Sequence, residues 1–372
     1  MRDSLKQFIE EKIIPLYDAF DKGHRRDHAL YVMQQGLYLS SFYDVDEEIV
    51  YTACACHDLG LREDRKTHHL VSGRIIREEL PLGQWFTPEQ IETIACAAED
   101  HRASLDHDPR TIYGKIVAEA DRQIIPETVI RRTVQFGLKN YPELDREGHW
   151  ERTLQHLNEK YADGGYLKLW IPESPNAGRL EELRDIIRDR SRLRKIFERI
   201  YAGETGNLSC IHLAAGCFWG AQKYFKLIDG VVDTQVGFVN GNSDISNPSY
   251  EEVYSDRTGY AECVKVEYDK SIVDLERLIR LYFRIIDPTS LNRQGEDSGT
   301  RYRTGIYYSD EKDIVPIRRV YDAIARNYSK PLAVELGKME RFYPAEEYHQ
   351  DYLDKNPGGY CHILPELFEI PE

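Results

Sequence analysis

The 372-residue sequence has no long apolar run, no excess of positive charge and no paired pattern of cysteines. No stretch approaches the ~18 apolar residues that a membrane-spanning helix needs, so we expect no membrane span. Residues 1–10 carry charges throughout, which is not the pattern of a secretory signal. The net charge of −15 disfavours non-specific binding to nucleic acid or to a membrane surface, because either would need a basic patch. These absences favour a cytoplasmic enzyme.

The cysteines are scattered along the chain and odd in number, which does not fit a disulfide framework. They indicate a reducing cytosol in which one or two thiols are functional. The seven cysteines stand at positions 54, 56, 96, 210, 217, 263 and 361.

The length predicts two domains, and 41% hydrophobic with 30% charged residues is typical of soluble globular protein. Residues 1 to about 202 show mostly helical periodicity, with little strand-like alternation. Two glycines among small polar residues then interrupt the pattern, and we interpret 204–207 as a linker. The predicted helices of this first part are 4–20, 27–43, 46–55, 88–98, 112–120 and 180–201.

Strands and helices alternate after the linker, which favours an α/β or α+β sandwich. The predicted strands are 211–214, 231–239, 261–268, 304–308 and 332–336, and the predicted helices are 273–286 and 314–328.

Histidines and aspartates recur at the ends of the predicted helices between residues 24 and 121. Neutral imidazole together with carboxylate suits Mn, Fe, Zn or related divalent ions, and such mixed ligand sets leave room for water. A metal of this kind generates hydroxide at neutral pH and polarises a phosphoryl oxygen. The segments concerned are 24–28, 53–60, 67–69, 99–102 and 118–122.

This order of a histidine, a His-Asp doublet and a distal aspartate resembles the HD superfamily of metal-dependent phosphohydrolases, over about residues 20–125. The resemblance implies a divalent metal (Mn, Fe, Zn or Mg) and a nucleotide or phosphate ester as substrate. The implied ligands are His28, His57, Asp58 and Asp121.

Two further histidines, His69 and His101, match positions that some members of that superfamily use for a second metal or for substrate. His24 lies four residues before His28, on the same helical face if the helix runs through both, as a ligand or as a supporting residue. The segment 161–170 carries aromatic residues and a basic residue that could flank a pocket, but core packing is the favoured explanation for Tyr166, Leu169 and Trp170.

In the second half, a Gly-Cys-Phe-Trp-Gly run at 216–220 follows a predicted strand and precedes a short predicted helix. Cys217 would then stand at a helix N-terminus, with unpaired N–H groups and the positive end of the helix dipole directed at its sulfur. We expect this position to lower the pKa of the thiol and to favour the reactive thiolate.

Several strings after Cys217 resemble peptide methionine sulfoxide reductase A, over about residues 208–363. The chemistry of that family needs a thiolate to attack the sulfoxide sulfur and an acid to protonate the departing oxygen. The resemblance assigns these roles to Cys217 and to Glu262, whose burial would keep it protonated near neutral pH. The strings stand at 215–220, 247–253, 258–262, 287–289, 292–295, 297–303 and 342–350.

The resemblance also implies the groups that bind the substrate, which would be an oxidised protein or free methionine sulfoxide. Tyr250 and Tyr302 match hydroxyl donors to the sulfoxide oxygen, and Asp297 matches a polar support near the substrate backbone. Phe218 and Trp219 match the apolar pocket for the methyl group. Arg301 stands where the family usually has Gln, a departure that we do not expect to touch the chemistry.

Recycling completes the predicted cycle, because attack leaves Cys217 as a sulfenic acid that needs a second thiol. Cys361 lies in a glycine-rich tail, which we expect to be mobile, and matches the resolving cysteine of two-cysteine members. Thioredoxin or a similar dithiol would then reduce the Cys217–Cys361 disulfide, with no cofactor bound in this domain. The preference for the S epimer is implied by the resemblance alone.

The expected fold is multidomain, with an all-α HD-type bundle (1–203), a linker (204–207) and an α+β, ferredoxin-like two-layer sandwich (208–372). Two alternatives stay open for the helical part. It could be a metal or nucleotide sensor attached to a reductase, or a structural module that tethers the reductase to its clients.

Overall fold

The computed structural model describes residues 1–20, 24–105 and 107–371. Its backbone contacts divide the chain into an N-terminal unit, Met1–Leu193, and a C-terminal unit that begins at Arg194. This division falls within the helix Arg190–Glu204, before the linker predicted at 204–207, and the exact domain boundary stays a prediction. Among the described residues, no helix is both long and apolar enough to span a membrane.

The described part of the N-terminal unit is helical, as the periodicity predicts. Short 3-10 turns also occur, at Leu59–Arg62 and Leu82–Gln84. The α-helices are α1 (Asp3–Phe8), α2 (Arg26–Ser40), α3 (Glu47–Cys56), α4 (His68–Glu78), α5 (Pro88–Glu99), α6 (Ile112–Asp121), α7 (Pro126–Asn140), α8 (Arg146–Lys160), α9 (Asn176–Arg188) and α10 (Arg190–Glu204).

Two predicted helices are interrupted in the structure. The first, 4–20, continues after α1 as a π-helical turn, Ile9–Ile13, and a 3-10 helix, Ile14–Ala19. Pro15 explains the change, because proline removes a backbone donor and its ring displaces the preceding turn. The second, 180–201, breaks at Asp189, whose ψ of 88° lies outside the helical region.

Helix α3 is the centre of the N-terminal unit, because its residues from Ile49 to Cys56 are all buried. A helix that is buried all round must end inside the protein, so the two residues that follow it are buried as well. His57 and Asp58 are 0% and 2% exposed. Tyr17 holds this end, since its hydroxyl donates to the Ala55 carbonyl at 2.8 Å and accepts from the Asp58 N–H at 3.3 Å.

The C-terminal unit is built on a six-stranded sheet with helices packed against it. A separate two-stranded ribbon joins β4 to β5. The strands are β1 (Leu208–Ala215), β2 (Val231–Val239), β3 (Ala261–Asp269), β4 (Arg293–Gln294), β5 (Asp297–Ser298), β6 (Thr304–Tyr308), β7 (Glu335–Lys338) and β8 (Phe342–Pro344). The α-helices are α11 (Phe218–Phe225), α12 (Tyr250–Tyr254), α13 (Leu275–Arg284), α14 (Ile314–Ala325) and α15 (Tyr352–Lys355).

The sheet has the order β7-β6-β1-β3-β2-β8, with every pair antiparallel except β6 and β7. Its four inner strands are connected as β1-α11-β2-β3-α13-β6, which is the ferredoxin-like β-α-β-β-α-β motif. The predicted α+β sandwich is therefore confirmed. The prediction missed β8 and placed β7 three residues too early, since both are short edge strands with little alternation.

Side chains alternate between the two faces of β3, and this alternation positions the candidate acid. Val264 and Val266 belong to the large core cluster that also includes residues of α11 and α13. Ala261 and Cys263 belong to a smaller cluster with Ala214. Glu262 has the parity of Val264, so it points to the helical face.

Candidate active sites

Two groups of polar side chains converge where α3 ends in the N-terminal unit. In the first group, His57 Nε2 lies 3.3 Å from Asp58 Oδ2 and 3.3 Å from His28 Nε2. Asp121, the last residue of α6, approaches the same point, with its Oδ1 3.2 Å from His28 Nε2. Four predicted ligands are therefore brought together. His24 lies beside the group, its ring centroid 5.7 Å from that of His28.

The second group uses the other oxygen of the same aspartate. Asp58 Oδ1 lies 3.4 Å from His68 Nε2 and 3.6 Å from His101 Nε2, and these two nitrogens are 3.1 Å apart. The expectation for His101 thus agrees with its position, but the residue beside it is His68 and not His69. His69 is the next residue along α4, about 100° further round the helix, and its buried Nδ1 has no hydrogen-bond partner among the described residues.

The Nδ1 atoms of the clustered histidines face away from the cluster. Their hydrogen bonds indicate whether the Nε2 atoms can bind a metal. Nδ1 of His57, His68 and His101 lies 2.7, 2.8 and 2.5 Å from the carbonyl oxygens of Cys54, Arg65 and Ala98, respectively. Each Nδ1 therefore carries the proton, and each Nε2 presents a lone pair to the centre. Facing lone pairs such as those of His68 and His101 repel each other unless a cation lies between them, so this donor set fits divalent metal ions.

Charge within the cluster favours an ionised Asp58. Burial alone raises its pKa, but when His57 and His28 are protonated their charge and hydrogen bonds outweigh burial and hold the pKa well below its usual value. The carboxylate is thus available to both groups at once.

In the C-terminal unit, Cys217 is the N-cap of α11, as the sequence predicts. Gly216 makes the preceding turn with a φ of 78°, and a Cβ there would lie 2.7 Å from the Gln294 side chain. The positive φ requires glycine because this left-handed conformation costs other residues free energy. The close approach of Gln294 requires it because a side chain would not fit. The turn buries the thiol, which is 6% exposed.

The prediction of a lowered thiol pKa at Cys217 is wrong for the free site. Burial raises the pKa well above its usual value, and the charge of Glu262 raises it further. The backbone N–H of Trp219 acts in the opposite direction but is the smaller effect. A short helix offers only a partial charge at its N-terminus, and here desolvation of the thiolate outweighs it.

Glu262 is a buried acid at the start of the same helix. It is 1% exposed, and its Oε2 accepts the backbone N–H of Phe218, the residue after Cys217, at 3.0 Å. Burial raises the pKa of Glu262 to about 8, despite this hydrogen bond. The carboxyl is therefore protonated at neutral pH, as the sequence argument expects.

The two predicted tyrosines, Tyr250 and Tyr302, lie within electrostatic reach of Glu262. Burial and then the Glu262 charge raise the pKa of both hydroxyls, that of Tyr302 to about 12. Arg301 joins this group, because its guanidinium carbon lies 4.5 Å from the Tyr302 ring centroid and its charge lowers the pKa of Glu262. Arg301 is therefore within electrostatic reach of the candidate acid, and our expectation that this departure leaves the chemistry unchanged stays a prediction.

The predicted apolar residues pack around a histidine that the sequence did not single out. Phe218 is buried, with its ring centroid 5.3 Å from that of His349. The indole Nε1–H of Trp219 donates to His349 Nδ1 at 3.1 Å, and Tyr250 lies 4.3 Å from the same imidazole, centroid to centroid. Only the string 342–350 could have pointed to His349, since its partners are far away in sequence.

Cys361 lies against the first turn of α11. A Cβ added at Gly220 would lie 2.8 Å from the Cys361 sulfur, so glycine at this position makes room for the second thiol. Asp297 holds the neighbouring residue of the tail, because its Oδ2 accepts the Tyr360 hydroxyl at 2.9 Å. These residues of the tail are packed against the domain, and Ile363 is buried in the core beyond them, while the expected mobility of the tail stays a prediction.

The sequence profile described as "Peptide methionine sulfoxide reductase" matches residues 209–369. Among relatives, the peptide methionine sulfoxide reductase MsrA of Lachnoclostridium phytofermentans is 58% identical over 153 residues, which are 41% of this chain and 91% of that protein. The chain belongs to the MsrA family of peptide methionine sulfoxide reductases.

Other known proteins are similar to parts of the chain. The MsrA of Clostridium acetobutylicum is 52% identical over 159 residues, 43% of this chain and 97% of that protein. The reduced form of Mxr1 from Saccharomyces cerevisiae is 36% identical, covers 42% of this chain and 90% of that chain, and has a TM-score of 0.41. A profile described as "HD domain" matches residues 25–123. The chain therefore joins an HD domain to an MsrA domain.

Proposed function

We propose that the MsrA domain reduces methionine sulfoxide with Cys217 as nucleophile and Glu262 as acid. The observation that carries the proposal is the hydrogen bond from the Phe218 N–H to Glu262, which places a protonated carboxyl beside the cysteine at the helix start. The Cys217 sulfur attacks the methionine sulfur and forms an S–S bond, while Glu262 protonates the oxygen, which leaves as water together with the thiol proton. A water molecule then attacks the Cys217 sulfur and breaks the S–S bond, so that the products are methionine and a Cys217 sulfenic acid, and the proton released by this water restores Glu262.

The hydroxyls of Tyr250 and Tyr302 are the proposed donors to the sulfoxide oxygen. Their raised pKa values keep both protons in place at neutral pH, so both can donate. Phe218 and Trp219 would receive the methyl group, and the Trp219–His349 hydrogen bond would hold the indole in position. We propose the S epimer as substrate, in oxidised proteins or as free methionine sulfoxide.

Raising the pH through about 8 is expected to slow the first turnover of the wild-type protein. The reason is that ionised Glu262 can no longer supply a proton. In Glu262→Gln the rate should fall by at least about 10²-fold, and the residual rate should show no further decline near pH 8. Rapid-quench measurement of methionine released per chain, from pH 6 to 9.5, tests this expectation. A decline near pH 8 that persists in Glu262→Gln would remove Glu262 from the role of acid.

We further propose that Cys361 resolves the sulfenic acid. Its thiol would attack the Cys217 sulfur, water would leave, and a disulfide would form. Thioredoxin or a similar dithiol then supplies the two electrons that restore both thiols. The position of the Cys361 sulfur supports this resolving role. The sulfur lies against Gly220, which is about one helical turn after Cys217.

The variant Cys361→Ser is expected to release one equivalent of methionine and then to stop in the presence of thioredoxin. The first half-reaction needs only Cys217 and Glu262, whereas recycling needs the second thiol. Burst amplitude and steady-state rate, measured together, separate the two steps. Cys210→Ser is a matched control, since this thiol lies at the start of β1 and should leave both quantities unchanged. Full thioredoxin-dependent turnover in Cys361→Ser would contradict the resolving role.

For the HD domain we propose a metal-dependent phosphohydrolase that acts on a phosphate ester or nucleotide. The supporting observation is the sharing of Asp58 between two converging groups, which would hold one metal ion or two. When bound, such ions supply Lewis acidity and a hydroxide nucleophile. The histidine Nε2 atoms and the oxygens of Asp58 and Asp121 would hold them. Hydrolysis breaks the bond from phosphorus to the ester oxygen, which takes the proton of the attacking water.

A screen of phosphate monoesters and nucleotides tests this second activity. The full chain, loaded with Mn or Fe, should release inorganic phosphate from at least one of them, and the double variant His57→Ala/Asp58→Ala should not. A loaded protein that releases no phosphate would favour the sensor alternative. A protein that retains no divalent ion at all would favour the tethering module.

A further inference from the structure

A basic recess in the HD-containing unit is used by neither proposed reaction. We define the basic recess by four of its lining residues, Arg102, Arg122, Lys168 and Trp170. Two of them are the chain neighbours of cluster residues, since Arg102 follows His101 and Arg122 follows Asp121. Neighbouring Cα atoms are about 3.8 Å apart, so the recess adjoins the histidine–aspartate cluster.

Arg122 is a buried cation that forms no salt bridge among the described residues, although the charges of Glu119 and Asp121 act on it. Its side chain is only 8% exposed, and its Nε and Nη1 have no hydrogen-bond partner there. Burying a guanidinium unpaired costs several kcal/mol at the order-of-magnitude level, and buried donors are nearly always satisfied. An arginine in this state indicates a ligand that supplies acceptors.

Trp170 provides a second, independent observation. Trp170 lines the recess, and its Nε1 is likewise buried without a partner among the described residues. All three unsatisfied atoms of Arg122 and Trp170 are hydrogen-bond donors. The missing partner must therefore offer several acceptor oxygens and need not offer a donor.

The acidic residues near the recess are already engaged. Asp100 accepts the Arg110 N–H and its Nε–H at 2.7 and 2.9 Å, and Asp108 pairs with Lys168 at 2.9 Å. Arg102 donates to the backbone carbonyl oxygen of Lys66. This carbonyl group is an uncharged acceptor. Arg102 and Arg122 thus form no salt bridge among the described residues, although Glu119 and Asp121 act on Arg122, and a bound dianion would find two guanidinium groups free to pair with it.

We propose that the basic recess binds the phosphoryl group of a phosphate monoester, the substrate class of the HD domain. This proposal rests on the phosphohydrolase function for its biological meaning. A phosphoryl group has three terminal oxygens and close to two negative charges, which match a forked guanidinium, a second guanidinium and an indole N–H. Arg122 would anchor the phosphate, while Tyr166 and Trp170 at the edge of the recess would contact the organic part.

Calorimetric titration of the full chain with inorganic phosphate tests the proposal, in metal-free and Mn-loaded protein. We expect phosphate to bind in both states, and Arg122→Met to weaken binding at least about tenfold, as expected for a lost charge-assisted bond. Arg122→Lys should weaken it less, because the charge stays and the fork is lost. Arg132→Ala is the matched control, since it removes an exposed arginine of α7 and should leave the affinity unchanged.

Thermal unfolding keeps the result interpretable if a variant folds poorly. Without phosphate, Arg122→Met should unfold at the same temperature as the wild type or higher, because an unpaired buried charge is removed. Added phosphate should raise the unfolding temperature of the wild type only. Equal phosphate affinity in wild type and Arg122→Met would overturn the proposal, as would binding confined to the Mn-loaded protein. If phosphate binds through Arg122 but the screen detects no hydrolysis, the proposal for the basic recess stands. Only the proposed phosphohydrolase function is then rejected.

Discussion

Replacement of Cys217 by serine is expected to abolish reduction of methionine sulfoxide, down to the background of the reductant alone. A serine hydroxyl cannot be oxidised as a thiol is oxidised to a sulfenic acid. The first half-reaction therefore has no alternative route in this variant. The site itself should survive the change, since serine is a good N-cap residue for α11. Methionine release in a single turnover is the measurement, because it does not depend on recycling.

Two comparisons make the Cys217→Ser result specific. The variant Cys361→Ser retains the burst of methionine that Cys217→Ser lacks, so the two thiols are distinguished in one experiment. Cys263→Ser, which changes a buried thiol in the smaller core cluster, should keep both the burst and the turnover. Residual single-turnover activity in Cys217→Ser above background would show that another group attacks the sulfoxide.

Replacement of Asp58 by alanine is expected to remove all tightly bound divalent metal from the HD domain. One carboxylate serves both groups, with Oδ2 at His57 and Oδ1 at His68 and His101, so its loss weakens both together. In contrast, His68→Ala affects only the second group and should leave the first ion bound. Elemental analysis after dialysis against a weak chelator gives the metal content per chain.

The difference in metal content between Asp58→Ala and His68→Ala shows whether the cluster holds one metal site or two. Equal loss of metal in both variants would indicate a single site that spans all six side chains. His69→Ala is the matched control for His68→Ala, because the adjacent histidine lies outside both groups, and it should retain the wild-type metal content. Loss of metal in His69→Ala would restore the original assignment of that residue.

Much of the fold could be predicted because local patterns specify it. Amphipathic periodicity predicts the helices before the linker, and alternation predicts the inner strands of the sheet. The failures occur where local signals are weak or competing. Pro15 interrupts a segment whose hydrophobic pattern continues through it, and β8 has only three residues, so its pairing with β2 is a property of the folded sheet.

The site residues follow the same division. Glu262 could be predicted from its string, and its raised pKa follows from burial on the helical face of β3. The pKa of Cys217 could not be predicted from the sequence. The helix N-terminus and desolvation have opposite effects on it, and their balance depends on how deeply the turn at Gly216 buries the thiol. His68 and His69 are neighbours with the same chemistry, and only the direction in which α4 begins separates them. Arg122 is an ordinary helix-end arginine in the sequence, and only the folded unit shows that its Nε and Nη1 have no hydrogen-bond partner in the part of the chain that the structure describes.

The order of strands in the sheet has a consequence for biosynthesis. Strand β1, which leads into the catalytic turn, lies between β3 and β6, and β8 joins the far edge from residues close to the C-terminus. Contacts so distant in sequence form late and slowly, whereas the helical unit has local contacts and emerges from the ribosome first. The thiol of Cys217 is therefore made well before Asp297 and Cys361, which lie near it in the folded domain, and it is more exposed to oxidants until they have been synthesised.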